Sequence, residues 1–146
     1  MSPKMQSNLL LAVEGLCIVF IFVTTGSLVA QNLTFLLIQI FGALLIAWSY
    51  LALKVNRIKH VPGFGNFWAM HGPYEIIRHP IYAGILLIMS GYVQWYMTVP
   101  RFLVFIVLIG VILVKMQSDE HVLEELFKDE YRTYMSKTHK IIPYFY

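Results

Sequence analysis

The sequence predicts an all-α, polytopic membrane protein with about four transmembrane helices and an amphipathic C-terminal helix on the cytoplasmic side. The composition is 58% hydrophobic and only 13% charged, with a mean hydropathy of +0.66. Soluble domains have roughly 45–50% apolar and about 25% charged residues. The second observation is a series of four separate apolar runs. We find no internal repeat, so the 146 residues are expected to form one domain.

The first two apolar runs, Leu9 to Ala30 and Leu33 to Leu53, are each long enough to cross a hydrocarbon layer of ~30 Å as a helix. The first is too long for a cleaved signal peptide, whose apolar stretch has ~7–15 residues. Only Gln31 and Asn32 separate the two runs. Because such a short connection places neighbouring helices side by side, residues 1–54 are expected to form an antiparallel helical hairpin.

The third and fourth runs, Ile81 to Met97 and Phe102 to Val114, are shorter. At ~1.5 Å per residue, the fourth run spans the bilayer only if its helix continues past Lys115, whose long side chain can reach the interface. Apolar residues then recur at spacings of three and four from Leu123 to Tyr134. This pattern predicts an amphipathic helix on the membrane surface.

Charge distribution predicts the orientation. Basic residues cluster after the second run, at Lys54, Arg57 and Lys59, whereas the first connection is uncharged. Because basic loops stay on the cytoplasmic side, both termini and the basic cluster are expected there. A loop at residues 61–66 follows from its proline and two glycines.

Several functional classes are disfavoured. The basic residues flank apolar runs and do not interleave with aromatic residues, so membrane lipid is the expected partner and nucleic acid is not. The single cysteine, Cys17, lies within an apolar run and is expected to pack there. No ligand spacing suggests a metal site.

A polar motif, His71 to Gly84, lies directly before and within the start of the third run. Its fourteen residues hold two histidines, one arginine, one glutamate, two tyrosines, two prolines and two glycines. Ionisable groups at a hydrocarbon boundary are costly, and they usually serve function. We therefore treat this motif as the candidate site.

Each residue at the helix start has a physical role in this interpretation. Pro80 fits the first helical turn, which leaves backbone N–H groups available to an anion. Arg78 can clamp a carboxylate or phosphate, and Gly84 allows a ligand or a neighbouring backbone to approach closely. The alternative is that Arg78 and His79 only anchor a helix end to lipid headgroups.

The centre of the motif is Arg78-His79-Pro80-Ile81-Tyr82-Ala83-Gly84, and His71 to Tyr74 precede it. Asp119 to Tyr134 and then Ile142-Pro143 follow it. Together these segments resemble the isoprenylcysteine carboxyl methyltransferase family and the related phospholipid N-methyltransferases. The resemblance covers residues 61–146, which it identifies as a cofactor-binding half. The sequence departs from the family pattern at Asp119, where glutamate is more usual, at Lys128, where the family has glycine, and at Lys140, where it often has arginine.

The resemblance implies S-adenosylmethionine-dependent methyl transfer to a lipophilic small molecule or lipid, with O-methylation of a carboxylate favoured. It assigns Arg78 and Glu120 as catalytic residues, and Lys115 as a further candidate for a positive charge near the acceptor. It assigns the cofactor to a set of residues in both motifs: His71, Tyr74, His79, Pro80, Tyr82, Gly84 and Glu120. The short chain suggests a prokaryotic inner-membrane protein acting on a lipophilic acid, amine or thiol.

Other functions remain open at this point. The acceptor is alternatively a phospholipid headgroup or another amine. A small proton-coupled four-helix exporter would use Glu14, an ionisable residue inside the first apolar run. The structural alternative is that Glu14, near the start of its helix, snorkels to the interface or meets Gln39 or Ser49 across the helical hairpin. A sterol-type reductase would normally need more helices.

Overall fold

Four α-helices dominate the computed structural model of the chain, which describes residues 3–26, 32–55, 59–60, 67–68 and 71–142. The helices are α1 (Pro3–Thr25), α2 (Leu33–Val55), α3 (Pro80–Trp95) and α4 (Val99–Met135). A short 3-10 helix covers Gly72–Glu75. Two short strands, β1 (Lys59–His60) and β2 (Phe67–Trp68), pair antiparallel, with Lys59 opposite Trp68 and His60 opposite Phe67.

Three of these helices are long and apolar enough to cross a membrane: Met5–Thr25, Leu33–Lys54 and the helix Val99–Met135. The fourth, α3, has 16 residues and is therefore only about 24 Å long at ~1.5 Å per residue. The predicted all-α membrane fold is confirmed. The apolar runs were approximate guides to helix ends, because α3 begins at Pro80 and α4 begins at Val99, before the run that predicted it.

The main packing partner of α1 is α4, and that of α2 is α3. Within the described residues, α1 and α2 therefore each pack more on a helix of the second half of the chain than on each other. The antiparallel hairpin over residues 1–54 stays a prediction. Hydropathy identifies a helix that faces lipid, but it does not say which other helix the remaining face will contact. Specific contacts within each pair decide the arrangement.

Glycines allow α2 and α3 to approach closely. A Cβ atom added at Gly84 would lie 2.5 Å from Ile46 Cγ1 and 2.7 Å from the carbonyl oxygen of Gly42. At Gly91 it would lie 2.7 Å from Gln39 Cγ. Since small residues are what let helix backbones meet within a bilayer, these positions fix the register of α3 on α2.

Between α1 and α4, apolar packing lies between two polar contacts. Cys17 and Ile21 of α1 are buried with residues of α3 and α4, among them Met89, Tyr92, Leu108, Ile112 and Met116. At one end Lys115 Nζ lies 2.5 Å from Glu14 Oε2. At the other end Arg101 Nε donates to Thr24 Oγ1 over 2.9 Å. The packing role predicted for Cys17 is therefore observed.

The fourth apolar run and the amphipathic segment belong to one helix. Helix α4 continues for 37 residues, with a single non-helical residue, Lys128, at φ 42° and ψ −118°. A positive φ favours glycine, because a Cβ atom is strained there. The break therefore falls at the position where the sequence carries lysine in place of the family's glycine.

Some sequence predictions fall outside the described residues. They concern Gln31, Arg57 and the loop at residues 61–66.

We predict that Gly84→Ala destabilises the protein by about 1–3 kcal/mol, the usual cost of inserting atoms into a filled interior. Gly15→Ala is the matched control, because no atom lies within 4 Å of a Cβ added there. It should be neutral or stabilising by up to ~1 kcal/mol through helix propensity. Thermal unfolding in detergent, followed by circular dichroism, measures both, and equal stability of the two variants would contradict the packing argument.

We predict that Lys128→Gly stabilises the protein by about 1 kcal/mol, because glycine relieves the strain of the positive φ. The matched control is Gln117→Gly, which introduces glycine at an exposed position in an ordinary helical turn of α4. It should lower the stability by about 1 kcal/mol. The same unfolding measurement applies, and a loss of stability in both variants would argue against strain at Lys128.

Candidate active site

Three basic side chains surround the carboxylate of Glu120. Arg78 Nε donates to Glu120 Oε1 over 2.7 Å, and His79 Nε2 lies 3.3 Å from the same oxygen. Lys140 Nζ lies 3.3 Å from Oε2. Glu120 is 9% exposed and His79 is 8% exposed, so these interactions are largely shielded from water. This cluster joins the start of α3, the middle of α4 and the residues that follow α4.

Local sequence explains why Arg78 and His79 face this carboxylate. His79 is the N-cap of α3, and Pro80 occupies the first helical position, where its missing N–H costs no hydrogen bond. Pro80 is fully buried. The His79 side chain makes no capping hydrogen bond, and its ring is directed toward Glu120 instead.

Residues 138–140, here called the C-terminal segment, pair with the residues before α3. Ile77 and His139 form an isolated parallel β-bridge. The N–H groups of Arg78 and His79 donate to the carbonyls of His139 and Lys140 over 2.7 and 3.1 Å, and His139 N–H donates to Ile76 over 3.0 Å. This backbone pairing carries Lys140 to the site.

The Arg78 guanidinium reinforces the same connection. Its Nη1 donates to the Met135 carbonyl over 3.2 Å, to the Thr138 carbonyl, and to Thr138 Oγ1 over 3.4 Å. One side chain thereby links Glu120, the end of α4 and the C-terminal segment. Arginine suits this role because its planar group presents several donors at fixed angles.

A second contact holds the 3-10 helix against α4. The Tyr134 hydroxyl donates to the Tyr74 carbonyl over 2.7 Å, and the Tyr74 ring is buried with Ala52 and Leu53 of α2. Burial raises the pKa of the Tyr74 phenol, so this group stays neutral at physiological pH.

Tyr82 lies in the first turn of α3 and extends the site beyond the charged cluster. Its hydroxyl donates to Asp119 Oδ2 over 3.1 Å, and its ring centroid lies 5.8 Å from that of His79. On the other side, Lys115 Nζ lies 5.2 Å from the centroid of the Tyr82 ring. Tyr82 thus stands between the charged cluster and the Glu14–Lys115 ion pair.

The structure brings together four of the residues that the sequence assigned to the site: Arg78, His79, Tyr82 and Glu120. The others lie at its edges. Tyr74 contacts it through Tyr134. His71 is exposed, and its Nδ1 lies 3.5 Å from Glu75 Oε1. The space beside Gly84 is filled by α2, so of the two roles expected for this glycine, the structure has the close approach of a neighbouring backbone.

Of the alternatives left open for Glu14, the structure shows neither Gln39 nor Ser49 as its ion-pair partner but Lys115. Ser49 donates instead to the Leu45 carbonyl of its own helix, over 2.6 Å. Glu14 faces α4 because α1 packs there and not on α2.

Sequence reasoning missed the part played by Thr138, and it noted Lys140 and Asp119 only as departures from a family pattern. Lys140 reaches the site through the backbone pairing, and Thr138 through its contacts with the Arg78 guanidinium; no local periodicity indicates either. The available signal was position: both lie just before the Ile142-Pro143 pair that ends the C-terminal motif.

The arrangement offers a polar ligand three kinds of contact. Arg78 and Lys140 suit an anion, Asp119 and Glu120 suit a cation or hydroxyl groups, and the rings of His79 and Tyr82 suit a cation at their faces. Within the described residues, no three side chains of histidine, cysteine, aspartate or glutamate are grouped to hold a metal ion.

The sequence model of a family described as phospholipid methyltransferase matches residues 29–130. The match covers more than half of the chain and includes Arg78, His79, Tyr82 and Glu120. No individual curated protein matches the chain.

We predict that Arg78→Lys loosens the C-terminal segment, because lysine cannot bridge Glu120, Met135 and Thr138 together. Amide hydrogen exchange at Arg78, His79 and His139 should become at least roughly tenfold faster, equivalent to about 1.4 kcal/mol. Arg132→Lys is the matched control, since Arg132 pairs with Glu124 over 2.8 Å on an exposed surface. Unchanged exchange at these three amides would show that Arg78 does not hold the segment.

Proposed function

Because the chain belongs to the phospholipid methyltransferase family, we propose that it transfers a methyl group from S-adenosylmethionine to a lipophilic acceptor in the membrane. The observation that carries this proposal is the convergence of Arg78, His79 and Lys140 on Glu120. Two distant motifs and the C-terminal segment meet there, at one end of membrane-spanning helices. Methyl transfer by a membrane protein of this family would explain why these residues converge.

The residues present fit this cofactor. S-adenosylmethionine has a carboxylate, an ammonium group, ribose hydroxyls and a sulfonium, and when bound it supplies an activated methyl group on the positively charged sulfur. Arg78 is our candidate for the carboxylate, and Glu120 for the ammonium group or a hydroxyl. The rings of His79 and Tyr82 are suited to lie beside a sulfonium.

The chain's own contribution is alignment. Methyl transfer is a displacement, and holding two reactants in line lowers its barrier without any need for a strong acid or base. Glu120 is held by three basic partners, and Tyr82 is held through its hydrogen bond to Asp119. Side chains fixed in this way position a bound molecule with little loss of entropy on binding.

For the acceptor, we favour a carboxylate, because the two C-terminal motifs resemble those of isoprenylcysteine carboxyl methyltransferases. An amine of a phospholipid headgroup is the second candidate, and the description of the matching family supports it. Both acceptors are lipophilic molecules with a polar reacting group, as a site at a membrane boundary requires.

We further propose that the site faces the cytoplasm. The 3-10 helix at the site packs on the C-terminal part of α2, where a Cβ atom at Gly72 would lie 3.3 Å from both Ala52 Cβ and Trp48 Nε1. Lys54 lies in the last turn of α2, so the site and the start of the basic cluster share one end of the bundle. Basic loops are retained in the cytoplasm.

The exporter alternative loses its main support. It requires a membrane-embedded carboxylate dedicated to proton exchange, and the Glu14 carboxylate is paired with Lys115 over 2.5 Å. The family match adds weight to methyl transfer.

We predict saturable calorimetric binding of S-adenosylmethionine to the detergent-purified protein, weakened about tenfold or more by either His79→Ala or Glu120→Ala. The size follows from the ~1.5–3 kcal/mol of a hydrogen bond that involves a charged group. A parallel assay follows transfer of radiolabelled methyl groups into extracted lipid. Alkali releases the label from a methyl ester but not from a methylated amine, which separates the two acceptors.

The chain contains a matched control for this experiment. His121 Nδ1 lies 3.4 Å from Glu125 Oε1 in the same helix, α4, and both side chains are exposed. His121→Ala and Glu125→Ala should leave cofactor binding unchanged. If the folded protein binds no S-adenosylmethionine, or if all four variants bind it equally, the proposal fails.

A further inference from the structure

The contact between Lys140 and Glu120 differs from the other two contacts of that carboxylate. Arg78 Nε and His79 Nε2 both approach Oε1, at 2.7 and 3.3 Å. Lys140 Nζ approaches the other oxygen, Oε2, at 3.3 Å. Among the described residues, Lys140 is the one ion-pair partner of Oε2. The two oxygens of Glu120 are therefore divided between two segments of the chain.

Lys140 presents to Oε2 the same chemical group that the proposed cofactor carries. The amino-acid part of S-adenosylmethionine has a primary ammonium group, and Glu120 is our candidate to bind it. Oε1 already interacts with Arg78 and His79, which leaves Oε2 as the oxygen for a further donor. The Lys140 ammonium thus lies where the cofactor's ammonium would bind.

Two ammonium groups are not expected to share this oxygen. If both lay within hydrogen-bond distance of Oε2, they would be no more than about 6 Å from each other. Like charges at that separation repel, and the repulsion is strong where water is excluded. The Glu120 side chain is only 11% exposed, so little solvent screens it. Binding of one ammonium group therefore opposes binding of the other.

Lys140 is the partner of Glu120 that is best able to leave. Its side chain is 23% exposed, compared with 9% for Arg78, and its charge is carried on a flexible four-carbon stem. Arg78 is held in addition by the carbonyls of Met135 and Thr138. Displacing Arg78 would break several interactions at once, whereas displacing the Lys140 ammonium breaks its contact with Glu120.

The backbone around Lys140 does not need to move for this exchange. The Lys140 carbonyl accepts a hydrogen bond from the His79 N–H over 3.1 Å. The next residue, Ile141, packs against the apolar core. Both contacts involve groups other than the lysine side chain. Rotation of that side chain is therefore enough to uncover Oε2 while the C-terminal segment stays paired.

We propose that Lys140 and the ammonium group of the cofactor compete for Glu120 Oε2, so that the cofactor binds with the Lys140 side chain displaced. The inference rests on the proposed function and adds to it an internal competitor that limits cofactor affinity. The exchange replaces one ammonium–carboxylate pair with another. When the spent cofactor leaves, Lys140 returns to Glu120 and its buried charge is compensated again, which assists product release.

Two other roles for Lys140 make different predictions. If Lys140 held the cofactor through its carboxylate, loss of the lysine charge would weaken binding. If Lys140 only repelled the cationic sulfonium at a distance, its loss would favour S-adenosylmethionine alone. Three compounds separate these roles. S-adenosylhomocysteine keeps the ammonium group but has no sulfonium charge, and 5′-methylthioadenosine has neither.

The experiment is calorimetric binding of these three compounds to the detergent-purified full-length protein. We expect Lys140→Met to tighten binding of both S-adenosylmethionine and S-adenosylhomocysteine roughly fivefold or more. Binding of 5′-methylthioadenosine should not change, because it has no ammonium group to compete. Lys137→Met is the matched control, since it removes the same charge from an exposed position three residues earlier. It should bind all three compounds like the unmodified protein.

Three results would overturn the inference: unchanged or weaker binding of S-adenosylhomocysteine by Lys140→Met, tightening confined to S-adenosylmethionine, or equal tightening of 5′-methylthioadenosine. If Lys140→Met does not fold, Lys140→Gln is judged by the same criteria, since it removes the charge and keeps a polar side chain. If neither the folded unmodified protein nor a folded Lys140 variant binds any of the compounds, the proposed function fails and the inference with it. Binding that the Lys140 variants do not tighten defeats the inference alone.

Discussion

The buried carboxylate of Glu120 is the constraint on which the site depends. A charge shielded from water must be compensated, and three basic side chains from two separate segments provide the compensation. Each of them fixes a different part of the chain: Arg78 and His79 set the start of α3, while Lys140 requires the residues after α4 to return. The backbone pairing between Ile76–His79 and His139–Lys140 is the second half of the same arrangement, because it brings Lys140 into reach.

The helices that carry this cluster are held together in two physically different ways. Between α2 and α3 the contact is steric, since Gly42 and Gly84 allow the two backbones to meet. Between α1 and α4, two polar contacts, Glu14–Lys115 and Thr24–Arg101, lie on either side of apolar packing. Lipid supplies little hydrophobic drive for helices to associate, so close packing and polar contacts must supply it. The site lies where α3 and α4, one from each pair, come together.

The sequence was informative wherever the bilayer or covalent geometry imposed a rule. Hydropathy located α1 and α2, and Pro80 located the start of α3. The two motifs identified Arg78 and Glu120, which form an ion pair although they are 42 positions apart in the sequence. Helix pairing was not predictable in this way, because apolar residues cover most of each helix and no face is distinguished. The roles of Thr138 and Lys140 depend on a backbone pairing between distant segments, which leaves no periodic trace. The break in α4 at Lys128 was not predictable from the sequence, because lysine is ordinarily compatible with a helix.

The polar groups of the site form a continuous series of contacts. Lys115 pairs with Glu14 and lies beside the Tyr82 ring, the Tyr82 hydroxyl donates to Asp119, and the Tyr82 ring lies beside that of His79, which faces Glu120. A reaction between a water-soluble cofactor and a molecule dissolved in lipid needs polar groups of this kind, because neither reactant can cross far into the other's solvent without losing solvation. Polar groups spaced along the helices shorten that distance from both sides. In the proposed reaction, Tyr82 is the candidate meeting place of the two reactants, since its ring lies beside the His79 ring on one side and Lys115 Nζ on the other.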